Sequence, residues 1–122
     1  MGYSKRLIDI SYLREMSDNC PRFMAEVISV FKEQVPELIT AFKEGARNND
    51  YSQLKAVAHK SKNAMSVMGV YIMVEKLNAF EDSDLEQMTD KEISGFALNF
   101  ENICWQTINE LDLVLENINA HI

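Results

Sequence analysis

A chain of 122 residues, 47% of them hydrophobic, is one domain (residues 1–122) whose core is large enough to stand without disulfide staples or a structural metal. Its net charge of −7 argues against nucleic acid as a partner, and no stretch approaches the roughly 18 consecutive apolar residues of a membrane span. Cys20 and Cys104 have neither a second pair nor a histidine nearby, and Met1 to Arg6 carries no targeting signal, so a soluble protein of the reducing cytoplasm is expected.

Apolar residues recur at three- and four-residue steps with no sustained alternation, an all-α pattern. Asp9 signals a short first helix over Ser11 to Met16, and Ser17-Asp18-Asn19 closes it. Pro21 opens a second helix, where the missing N–H has no intrahelical partner to lose. Phe23, Val27, Ile28, Phe31, Val35, Leu38, Ile39 and Phe42 are expected to form its apolar stripe, with a kink at Pro36 and an end between Gly45 and Asn49. Asp50 and Gln53 resemble a capping box for a third helix, which runs to Met68 before Gly69 stops it. A fourth helix is expected from Val70 to about Phe80, followed by an acidic connection from Glu81 to Gln87. Thr89 and Glu92 form a second capping box ahead of a long last helix with Ile93, Phe96, Phe100, Ile103, Thr107, Leu111, Leu115 and Ile118 facing inward. The elements imply an up-and-down four-helix bundle with a short N-terminal lid helix.

Metal and pocket chemistry find no support. Carboxylate-bridged metal sites in bundles need Glu-x-x-His, and Ala56 and Ile118 stand three residues before His59 and His121. No phosphate-binding glycine loop and no Gly-x-Ser-x-Gly occur. His121, next to the last residue, reads as an incidental side chain; the methionines read as core filler and Trp105 as partly buried structure.

The third helix is more informative. With about 100° per residue, Leu54, Val57, Ala58, Ser61, Ala64, Met65 and Met68 gather opposite His59, so the histidine points outward. Ser52, Lys55, Lys62, Asn63 and Ser66 fall on its side of the helix, and no acid occurs between Tyr51 and Val74. Ammonium groups around an imidazole disfavour its protonation and leave a ring lone pair free to attack.

The segment Ala58-His59-Lys60-Ser61-Lys62-Asn63-Ala64-Met65-Ser66-Val67-Met68-Gly69 resembles the motif of histidine-containing phosphotransfer domains, Ala-His-x-Leu-Lys-Gly followed by small or apolar residues and Leu-Gly. The order of helices is similar along the whole chain. The resemblance implies that His59 accepts a phosphoryl group from a receiver-domain aspartate and passes it to another receiver, with Lys62 stabilising it. Lys55, Asn63 and Ser66 are expected in support, and Glu81 stands where the family has a polar side chain that orients the imidazole. Lys60 is expected to dock the partner; Leu13 and Met16 of the lid are candidates for an apolar docking patch, with covering the core as their simpler role.

The implied partners are response-regulator receivers and a hybrid sensor histidine kinase. The receiver brings Mg²⁺, the chain has no cofactor or metal of its own, and a monomeric relay intermediate without independent turnover is expected. Met1 and the complete set of helices favour a free-standing protein. Two departures from the motif stand out. Ser61 replaces a leucine and is expected to bond back to the Val57 carbonyl, while Asn63 replaces a glycine and bears on partner choice. The competing reading is a non-catalytic helical module that binds receivers or other proteins without accepting phosphate.

Overall fold

The computed structural model describes residues 6–119. Among them are five α-helices and one 3₁₀ turn, with no strand: α1 (Ser11–Met16), α2 (Pro21–Asn48), α3 (Tyr51–Val67), α4 (Tyr71–Asp82), the 3₁₀ turn (Leu85–Gln87) and α5 (Asp90–Asn119). The fold is all-helical. Helix α2 packs against both α5 and α3, and α3 packs against α4. No helix among the described residues is long and apolar enough to cross a membrane.

The expected boundaries hold with one difference of consequence. Helix α4 does not stop at Phe80 but continues through Glu81 to Asp82. The Phe80 ring stacks on Phe96 at 4.1 Å and meets Phe42 at 6.0 Å, and Phe42 in turn lies 4.5 Å from Phe100. This aromatic cluster ties α2, α4 and α5 together, and burial of Phe80 carries the helix two residues beyond its apolar pattern. The remainder of the expected acidic connection holds the 3₁₀ turn, whose Leu85 is buried.

Helix α2 runs without interruption through the exposed Pro36, which removes one backbone hydrogen bond but does not end the helix. Its apolar stripe needs a correction. Phe23 is 44% exposed, and the buried residue of that turn is Met24. Around a helix, Met24 stands about 20° from Val35 and Phe23 about 120° away. Val27 lies between these positions and is half-buried, so a secondary line of Phe23, Val27 and Val30 flanks the core stripe. In α5, Ala97, Cys104 and Val114 join the expected inner face. Trp105 is 42% exposed and donates its indole N–H to Glu101, so it belongs to the outer surface of α5 rather than to the core.

The caps explain where the chain turns. Asn49 takes a left-handed conformation (φ 51°) and the Asp50 N–H reaches the Gly45 carbonyl at 2.9 Å, closing α2. Asp50 then caps α3 by accepting from the Gln53 N–H, but the Gln53 side chain donates to the Ala41 carbonyl of α2, so the expected box is only half formed. The Thr89–Glu92 box is reciprocal, with bonds of 3.0 and 2.9 Å.

At the α3–α4 turn, Gly69 has φ 68° and the Val70 N–H returns to the Met65 carbonyl at 2.9 Å, a Schellman closure. The segment before α1 crosses this turn: the Asp9 N–H donates to the Met68 carbonyl, and Leu7 and Ile8 N–H groups donate to the Glu110 carboxylate. A side chain on Gly69 would collide with the Asp9 backbone.

Candidate functional site

Helix α3 turns its buried face, formed by Leu54, Val57, Ala58, Ser61 and Met65, toward the core. The opposite face carries His59, whose side chain is 67% exposed. Burial of the apolar face thus fixes the histidine outward, as the sequence predicts. Helix α4 runs back alongside α3 and brings Glu81 to it from across the hairpin.

Glu81 connects the two functional candidates of α3. Its Oε2 lies 3.1 Å from His59 Nδ1, and its Oε1 lies 2.6 Å from Lys62 Nζ. A carboxylate only accepts hydrogen bonds, so in the neutral ring this contact places the proton on Nδ1 and leaves Nε2 with the lone pair. The Lys62 hydrogen bond holds the Glu81 carboxyl below the usual range; partial burial opposes it, and the His59 contact adds a smaller lowering. Glu81 is therefore ionised at neutral pH.

Lys55 is placed differently from expectation. Its Nζ donates to the backbone carbonyls of Glu81 and Ser83, at the C-terminal end of α4, where carbonyls lack intrahelical partners. Lys55 thus fixes the turn that carries Glu81 instead of facing the imidazole. The group touching the His59 ring is a carboxylate, not one of the ammonium groups expected around it.

The other candidates divide. Lys60 is exposed beside His59 in sequence, and the Asn63 and Ser66 side chains are exposed without a partner among the described residues. Met16 is 40% exposed, whereas Leu13 is wholly buried. Leu13 is a core residue, because a helix as short as α1 has only one side to press onto the molecule, and it is removed from the docking set. Ser61 is fully buried, but its hydroxyl makes no bond to the Val57 carbonyl or to any other described group.

Sequence reasoning missed the target of Lys55 and the exposed apolar line of α2. That line borders a groove of about 90 Å³ between α2 and α3, lined by Val27, Val30, Gln34, Ala64 and Val67 among others. The signal for it was present as a second stripe at three- and four-residue steps, hidden by its overlap with the core stripe. His121 lies outside the described residues. Among the described residues no group of three or more His, Cys, Asp or Glu side chains is placed to hold a metal ion.

What this arrangement offers is an exposed imidazole with one nitrogen held by an anion and the other open to attack, beside a lysine. Searches of protein-family models, curated proteins and solved structures found no match to the chain.

Proposed function

We propose that the chain is a histidine phosphotransfer domain of a multistep phosphorelay: an up-and-down bundle of α2 to α5 with α1 as its lid. His59 takes a phosphoryl group from the aspartyl phosphate of one receiver domain and hands it to an aspartate of another. The reading rests on one observation above all, the engagement of His59 Nδ1 by Glu81 on a side chain that is 67% exposed, with Lys62 on the same carboxylate.

Phosphoryl transfer depends on in-line positioning and on charge neutralisation more than on a pocket. The ring fixed through Nδ1 presents Nε2 to an incoming phosphorus, and Lys62, held on the same carboxylate, is the cation offered to the transferred oxygens. A receiver supplies the Mg²⁺ and the acidic concavity, for which Lys60 and the lysines around it offer complementary charge. On α2, the exposed Phe23 and Val30 with the half-buried Val27 offer a receiver apolar surface, and Val27 and Val30 border the groove against α3. This same surface also favours a second reading, a module that binds receivers without accepting phosphate.

The test is transfer of label from a panel of phosphorylated receiver domains to the wild-type protein and to His59→Gln, followed by acid and alkali treatment. Phosphotransfer predicts label on the wild type alone, lost in acid and kept in alkali. Receiver binding that survives His59→Gln with no label on either protein supports the binding module instead, and equal labelling of the two proteins removes His59 as the acceptor.

A further inference from the structure

Glu81 holds both groups that a phosphoryl transfer at His59 requires. One carboxylate oxygen is 3.1 Å from Nδ1 of the ring and the other 2.6 Å from the Lys62 ammonium. The site therefore contains an anion before any phosphoryl group arrives.

In the transfer, the Nε2 lone pair forms the N–P bond. The P–O bond to the donor carboxylate breaks, and its electron pair leaves with that carboxylate. Nδ1 keeps its proton, so the ring becomes a cation carrying a phosphoryl group with a charge near −2. A carboxylate on Nδ1 favours retention of that proton. The phosphoryl group leaves a protonated ring more readily, because the departing imidazole is then neutral. Lys62, meanwhile, has one ammonium for two anions, and its attraction to Glu81 is withheld from the phosphoryl oxygens. Both effects weaken the hold on the phosphoryl group, and an amide of the same shape would largely lack both.

Building on the phosphotransfer reading, we propose that Glu81 sets the lifetime of the phosphohistidine and keeps it short, by competing with the phosphoryl group for Lys62 and by retaining the Nδ1 proton. The chain is in this sense a relay built to release rather than to store. Lys55 is a positioning residue for the device, since its bonds to the Glu81 and Ser83 carbonyls hold the end of α4 in place.

The test uses phosphoramidate as the donor, which needs no partner protein: its N–P bond breaks, ammonia leaves and the histidine–phosphorus bond forms. Wild type, Glu81→Gln, Lys62→Met and the double variant are labelled and freed of reagent, and loss of phosphohistidine is followed by ³¹P NMR and intact mass. His59→Gln in parallel accounts for label on His121. Glu81→Gln is expected to lengthen the lifetime about two- to fivefold, the weight of one exposed ion pair, and the gain is expected to shrink when Lys62 is already Met. An unchanged or shorter lifetime in Glu81→Gln, with the wild type labelled, overturns this inference and leaves the phosphotransfer reading standing. An equal gain with and without Lys62 overturns the competition. Failure of folded His59 to take label while the unfolded chain does removes both readings together.

Discussion

The two ends of the α3–α4 hairpin are held by different physics. At the turn, backbone bonds to backbone: Val70 to Met65, Asp9 to Met68, with Gly69 pressed against the Asp9 peptide and Met65, Met68 and Val70 buried beneath. At the open end, side chains do the holding. Lys55 ties down the carbonyls of α4, and Glu81 joins His59 and Lys62 in partly exposed contacts. Backbone closures with apolar burial have one arrangement; ion pairs near water can exchange partners at little cost. The candidate site sits at the end that can exchange.

The largest blow to this contrast falls on the closed end. Gly69→Ala forces a side chain into a left-handed position already occupied by the Asp9 backbone, and is expected to cost about 3 kcal/mol or more, read by urea unfolding. Lys55→Met comes next, at about 1–3 kcal/mol for lost charge-assisted bonds. Its signature is local: amide exchange is expected to rise around Ser83 while the Gly69 turn stays protected.

Acid has a gentler effect and a definite sign. The folded Glu81 carboxyl is lowered from its ordinary value of 4.5 by Lys62 first and His59 less. Its contribution to stability is therefore complete above that value and is lost as the pH falls through the lower folded value. Glu81→Gln should flatten this part of the acid profile in thermal unfolding at stepped pH. The smallest perturbation tests the core itself: burial, with Glu101 adding to it, pushes the Cys104 thiol up to about 12, so a thiol reagent at neutral pH should modify the exposed Cys20 and spare Cys104.

Much of the closed end could be read in advance, because Gly69 and the periodicity of α3 are local signals with local causes. The outward position of His59 followed from the same periodicity. Lys55 was legible only as a charge near the histidine; its partners are carbonyls of another helix, which no side-chain pattern marks. Glu81 was placed at a helix end that ran on because Phe80 found an aromatic stack formed by residues far away in sequence. Phe23 gave up its expected core place to Met24 for a similar reason: hydrophobicity gives a preference for burial, but the angle around the helix and the neighbouring elements decide which side chain obtains it. The open Ser61 hydroxyl departs from the local back-bond that its place in a helix interior suggests.

The lone tryptophan, Trp105, stands on the outer surface of α5 at 42% exposure. At that exposure more than half of the residue is still covered and its N–H is held by Glu101, so its emission reports melting of the helix as well as events at the surface. It is a good reporter of anything that settles on the outer face of α5: emission that shifts while the helical circular dichroism holds steady would mark a partner there and not a loss of structure.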